Sequence, residues 1–345
     1  MSNDEASKPG RSKRLAAIVF GVGLVAAACG ADGDTATSDG GSTTGPAVGD
    51  EAMEDEAMEA ETDDEAMDDS GASEDEAMED GRPILEVTFE GLEALGDDFD
   101  YEAWTIVDGT PVSGGTFDIA ADGSLEIGTG EHLLGHEGAS TVVITIEPAV
   151  GDDPAPADTH VLAGDVAVDG SFALTIDHPD ALGTDFADVA GQFILGTPTN
   201  DPDGDELSGI WFLTVPGPEV SLELPTLPAG WSYEGWAVID GNPVSTGRFL
   251  DGAMADDFDG FSGPNGGPNY PGEDFIVDAP DGLAFPTDLT GSTVVISVEP
   301  DADNSPDPFA LEPLVAEVPD GIGDHQNIDL GLGSVAISGS GSIAG

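Results

Sequence analysis

The run Asp201-Pro-Asp203-Gly-Asp205-Glu206 alternates carboxylates with turn residues. That is the donor type Ca²⁺ takes, because a hard cation collects six to eight oxygens. Asp201, Asp203 and Asp205 are the candidate ligands. The fit to an EF-hand loop is partial: that loop wants Gly at its sixth place and Glu at its twelfth, where this run has Glu206 and Phe212. The competing reading is an acidic surface turn, and Asp256, Asp257 and Asp259 form a similar cluster. His132 and His136, flanked by Glu131 and Glu137, are spaced to share a helical face for zinc. Gly135 and the strand-like surroundings oppose that helix, so a solvated loop is the plainer reading. No Gly-x-Ser-x-Gly elbow occurs, and no Gly-rich phosphate cradle leads from a strand into a helix. The chain therefore reads as non-enzymatic. Trp104, Trp236, Tyr101 and Tyr233 could form a sugar-stacking platform, but their recurrence at matching positions fits core packing better. Trp211 also reads as core.

The remaining chemistry lies at the only cysteine, Cys29, which forbids an intrachain disulfide. Four of the six basic residues, Lys8, Arg11, Lys13 and Arg14, precede an apolar run of 14 residues from Leu15 to Ala28. A helix of that length spans about 21 Å, short of the roughly 30 Å hydrocarbon layer. The order of basic, apolar and small residues is that of an export signal. Val25-Ala26-Ala27-Ala28-Cys29 resembles the bacterial lipobox, with Ala26 where Leu is usual. The resemblance implies removal of residues 1–28, diacylation of Cys29, and anchorage on the outer face of the cell membrane.

After that leader the chain is a polyanion. The full sequence holds 71 acids against 6 bases, a net charge of −65, and only Arg82 and Arg248 are basic beyond residue 14. Nucleic-acid binding by phosphate neutralisation is excluded, because it needs clustered Lys and Arg. Residues 30–81 contain no Lys, Arg, Trp, Tyr or Phe, and Asp50 to Asp80 holds 17 acids in 31 positions. Such a segment cannot bury enough apolar surface to offset its ordering entropy, so residues 29–82 are expected to be a disordered tether. Dense carboxylates repel one another unless salt screens them. A saline, halophilic setting is therefore expected, with divalent-cation dependence as its rival.

From Ile84 the composition changes to β-branched and aromatic residues separated by Gly, Asp and Pro, the signature of strands and turns. A duplication stands out. Tyr101 to Phe117 recurs as Tyr233 to Phe249 with 10 of 17 positions identical, and Ser140 to Pro148 recurs as Ser292 to Pro300 with 7 of 9 identical. The second copy carries about 20 extra residues, placed in the Gly, Asn and Pro-rich stretch from Asp251 to Asp274. Val142, Ile144 and Ile146 alternate with Thr141, Thr145 and Glu147, as in a strand with one wet face. Asp108-Gly109 and Asp240-Gly241 predict type I′ hairpin turns, and Val168-Asp169-Gly170-Ser171 is read as the same device. The expected fold is all-β, two tandem antiparallel sandwich or small-barrel domains at 83–216 and 217–345, divided at Pro216-Gly217-Pro218.

The Tyr-x-x-Trp strand, the Gly-x-Pro-Val-x-x-Gly-x-Phe hairpin and the later strand ending in Glu-Pro together resemble the extracytoplasmic C-terminal domain of anti-sigma-K factors of the RskA type. The resemblance implies an exported all-β module. Ala149-Val150-Gly151 and Asp301-Ala302-Asp303 depart from the Gly-rich turn that follows Glu-Pro in that family. The family's zinc-binding, sigma-holding domain is not expected here, since only 14 polar residues, with no His or Cys, precede the apolar run. The expectation is a lipid-anchored surface protein that binds an unidentified protein or glycan or serves the envelope structurally. The alternative is the extracytoplasmic sensory part of an anti-sigma system.

Overall fold

The computed structural model describes residues 82–120, 122–128, 130–200, 204–302 and 305–344, and all of them lie in one compact unit. Residues 1–81, where the leader, Cys29 and the tether are expected, lie outside the described residues. Among the described residues there is no helix, and the all-β expectation holds. The strands are β1 (Ile84–Glu90), β2 (Phe99–Val107), β3 (Thr110–Ile119), β4 (Leu125–Ile127), β5 (Ala139–Pro148), β6 (His160–Asp165), β7 (Ser171–Thr175), β8 (Gly191–Leu195) and β9 (Gly209–Trp211). They continue as β10 (Leu213–Thr214), β11 (Glu219–Val220), β12 (Trp231–Ile239), β13 (Asn242–Phe249), β14 (Gly272–Asp274), β15 (Thr293–Pro300), β16 (Glu312–Glu317), β17 (Ile328–Ser334) and β18 (Ser338–Ala344).

Sixteen of these strands form two antiparallel eight-stranded sheets, ordered β1-β18-β7-β6-β5-β2-β3-β4 and β13-β12-β15-β16-β17-β8-β9-β14, and β10 and β11 pair by themselves. Each sheet curls towards closure. In the first, residues 133–135 bridge the two margins: Leu85 N donates to Leu133 O and Leu134 N to Gly114 O. In the second, the extra segment after β13 performs that task. Asp257 N donates to Arg248 O on β13, while Gly272 N on β14 donates to Asp256 Oδ2 at 2.7 Å.

Sheet membership departs from sequence order. β8 and β9 precede Pro216 yet lie in the second sheet, whereas β18 returns from the far end of the chain to sit between β1 and β7. The expected boundary at Pro216 falls inside the small β10–β11 hairpin. A continuous buried apolar cluster runs through both sheets, from Tyr101, Phe117 and Ile144 to Phe193, Phe212, Tyr233, Phe249 and Ile296.

The duplicated sequence gives duplicated geometry. Tyr101 pairs with Phe117 across β2–β3, and Tyr233 with Phe249 across β12–β13, the rings stacked at 5.4 and 5.7 Å. Each hairpin shifts register just before its Trp, where Gly115 (φ 110°) and Gly247 (φ 111°) absorb the bulge. Asp108-Gly109 and Asp240-Gly241 all have positive φ, the requirement of a type I′ turn. The third turn differs. Only Gly170 has positive φ there, with Gly170 N bonded to Ala167 O and Ala167 N to Ser171 O, so it is a longer turn closed by one left-handed glycine.

Candidate functional site

Strand alternation sends Tyr101 and Ala103 into the main core and leaves Glu102 and Trp104 on the opposite face, beside Val143, Thr145 and Glu147 of β5. That second face was expected to be wet. It is instead buried: Thr145 is 0% exposed, Glu147 1% and Glu102 5%. Ala163 and Ala181 pack on Trp104 and Val143, and Ala157 N donates to Glu147 Oε1 at 2.8 Å, so the segment after β5 folds back as a cover.

Under the cover lies a hydrogen-bond relay. Trp104 Nε1 donates to Thr145 Oγ1 at 2.9 Å, and Thr145 Oγ1 donates to Glu147 Oε1. Beside it, Ser113 Oγ donates to Glu102 Oε1. The second copy reproduces each part: Trp236 Nε1 to Ser297 Oγ at 2.8 Å, Ser297 Oγ to Glu299 Oε1, Ser245 Oγ to Glu234 Oε1, and Phe309 N to Glu299 Oε1 at 3.0 Å. Buried carboxylates are tolerated when donors of this kind meet them. The copies differ beside Glu102 and Glu234. Arg248 Nε lies 2.8 Å from Glu234 Oε2, and its Nη1 donates to Pro300 O at 3.1 Å. The first copy has Thr116 at that position in the register. Burial pushes Glu102 and Glu147 above the usual carboxylate range.

A second acidic group lies in the extra segment of the second copy. Glu273 and Asp274 are fully buried on β14, with Asp256 packed against them. Asp274 Oδ1 accepts from Trp211 Nε1 at 2.7 Å and Oδ2 from Thr199 N at 2.7 Å, which fixes the indole. Glu273 Oε1 accepts from Ser262 Oγ and Asp274 N, while its Oε2 is buried without a hydrogen-bond partner. Burial pushes both Asp256 and Glu273 up to about 7. The cleft above them, about 370 Å³, is lined by Trp211, Tyr270, Asn265 and Phe258. Chemically, this group can hold protons near neutral pH.

The sequence-predicted residues distribute unevenly over these sites. Asp201 and Asp203 lie outside the described residues. Asp205 sits in a turn with φ 66°, its carbonyl accepting from Ser208 N at 2.8 Å. The neighbouring Glu206 comes together with Asp324 and His325, a pairing across more than 100 residues that no local spacing announces. Of the Asp256, Asp257 and Asp259 cluster, Asp256 turns inward and the other two are exposed. His136 Nδ1 is 2.7 Å from Thr105 Oγ1, and residues 131–137 are not helical, so the helical face that would bring His132 and His136 together does not form. Tyr101, Trp104, Tyr233 and Trp236 are all at most 3% exposed, which removes the sugar platform. Trp211 is buried as well. The sequence reading missed Glu102, Glu147 and their counterparts. Their signal was available: a Glu kept at matching places in both copies, on a face where Trp is also kept.

The described chain is an all-β protein with two eight-stranded antiparallel sheets built around a repeated strand set. Residues 15–161 match the family described as anti-sigma-K factor rskA, C-terminal, a span that includes the first copy of the repeat. This agrees with the resemblance carried by the Tyr101 to Phe117 and Ser140 to Pro148 motifs. No curated protein and no solved structure matches the chain.

Proposed function

We propose that this chain is an exported, lipid-anchored surface protein, held on the outer face of the membrane through Cys29, that acts by binding and not by catalysis. The observation that carries the reading is the family match over residues 15–161, which runs from the apolar segment into the first β copy. The likeness of the second copy to the first in register, stacked Tyr–Phe pair and Trp–hydroxyl–carboxylate relay supports a tandem pair of such modules. The hydroxyl–carboxylate pairs are tied to an indole of their own sheet and to a backbone N–H of the loop that follows β5 or β15, a structural use of their polarity. The net charge of −65 supports a saline exterior in which counterions screen the coat.

The same family match favours one further reading, an extracytoplasmic sensory module that partners a separate membrane regulator of an anti-sigma system. Crosslinking on intact cells that carry the anchored chain, followed by recovery and mass spectrometry, separates the two. A surface protein or glycan as the main adduct supports the binding reading, and a membrane regulator supports the sensory one. Adducts confined to cytosolic proteins would overturn both.

A further inference from the structure

Glu102 and Glu147, beneath the cover of the first sheet, and the exposed Asp152 each bring a carboxylate oxygen to within 4.8 Å of the others. Two ligands across one Ca²⁺ stand about 5 Å apart, given Ca–O distances of roughly 2.3–2.6 Å, so the spacing suits that ion. Glu102 is 5% exposed, and its Oε2 is buried with no hydrogen-bond partner. A buried carboxylate oxygen in that state is unfavourable unless something positive or a donor meets it. Burial is the main influence raising Glu102, and the charges of Glu147 and Asp152 add to it.

The second copy shows what such a place takes. Glu234 faces Arg248 across β12–β13 just as Glu102 faces Thr116 across β2–β3. Arg248 reaches both the Glu234 carboxylate and the Pro300 carbonyl. Pro148 stands at the register position of Pro300, opposite Phe99 as Pro300 is opposite Trp231. The first copy thus keeps the carboxylate and the carbonyl position but puts a short hydroxyl where the guanidinium begins, and it brings in Asp152. All these donors are oxygens, which favours a hard cation over zinc or copper.

We propose that Glu102, Glu147 and Asp152 bind a calcium ion, which supplies to the first copy the positive charge that Arg248 supplies to the second. The site is separate from Asp201, Asp203 and Asp205, and it does not depend on the lipid anchor or on the binding role. Its occupation would tie the cover to the sheet, because Asp152 lies in the segment that leads into the cover.

Terbium, a calcium substitute whose emission is sensitised by a nearby indole, tests this on the full chain. Trp104 is joined to Glu147 through Thr145, whereas residues 30–81 hold no aromatic residue, so terbium bound to their carboxylates has no indole of that segment to sensitise it. The expected result is saturable emission that Ca²⁺ displaces. Its apparent affinity should fall about tenfold or more in Asp152→Asn, where an exposed residue is changed, and in Thr116→Arg, which imports the second copy's cation. Thr116→Arg should also remove the rise in melting temperature that Ca²⁺ gives the unaltered chain over Mg²⁺ at equal ionic strength. Emission and calcium-dependent melting left unchanged by both substitutions, or no displaceable emission at all, would overturn the proposal in favour of carboxyls that share protons.

Discussion

Arg248 places its Nε 2.8 Å from Glu234 Oε2, and it is the only Lys or Arg after Arg82 in the whole sequence. In a polyanion, one cation directed at a carboxylate whose side chain is only 7% exposed is a structural commitment. Removing one partner of a buried pair leaves the other charge uncompensated, at a cost of up to about 3–5 kcal/mol, reduced here because the arginine side chain is 25% exposed.

Arg248→Met should therefore lower stability by about 2–3 kcal/mol, read as a lower denaturant midpoint at unchanged slope. Adding Glu234→Gln to it should recover part of the loss, because the carboxylate left behind is the source of the penalty. A single-variant loss below about 0.5 kcal/mol would mean that the pair behaves as an exposed surface bridge.

Asp256 and Glu273 give a pH dependence with a definite sign. Burial raises both to about 7 from ordinary values of 3.8 and 4.5. A carboxyl whose folded value is raised binds its proton more tightly in the folded state. Its contribution is full below about pH 4 and is lost as the pH rises through about 7. The double variant Asp256→Asn, Glu273→Gln keeps the uncharged forms at every pH. Its melting temperature relative to the unaltered chain should climb between about pH 4 and 7 and level off above that. A difference that stays flat across the window would contradict the burial of these groups.

The hairpin turns separate backbone strain from crowding. Gly109 has φ 78°, and an added Cβ would meet nothing within 4 Å, so Gly109→Ala should cost about 1–2 kcal/mol through conformation alone. Gly164 has no positive φ, but a Cβ there would lie 1.9 Å from Ala173 O across β6–β7. Gly164→Ala should push the strands apart and cost clearly more than Gly109→Ala. Equal midpoints in urea for the two variants would refute this order.

The Tyr-x-x-Trp strands and the Asp-Gly turns at 108–109 and 240–241 were legible because each depends on neighbours a few residues away, and the buried indoles of Trp104 and Trp236 were legible because they recur at matching positions in the two copies. The burial of Thr145 and Glu147 was not legible. Alternation reports side-chain polarity, and what lies over a polar face is decided by distant residues, here Ala157 and Ala181. β18 was equally hidden, because Ser338-Gly-Ser-Gly-Ser-Ile-Ala344 lacks the β-branched density that marks a strand. Its glycines have a packing role instead. A Cβ on Gly341 would strike Glu86 O and the Phe172 ring, and one on Gly339 would crowd Phe89 and Leu174. Small residues let those neighbours close over the strand. Asp256 was legible as an acidic residue in a turn, but not as the acceptor that fastens Gly272 of β14.

The place of β18 makes truncation informative. Ending the chain after Ala336 removes a strand that pairs with β1 along its whole length and with β7 on its other side. Hydrogen exchange should then accelerate at residues 84–90 and 171–175, far away in sequence, while β12 and β15 keep their protection. Loss confined to the second sheet would contradict the strand order.

The anchored-surface reading is met most directly by mass spectrometry of the N-terminus of the chain extracted from membranes of the producing cell. The expected species begins at Cys29 and carries a thioether-linked diacylglycerol, with residues 1–28 removed. A chain that still begins at Met1, or one cut elsewhere with an unmodified Cys29, would contradict it.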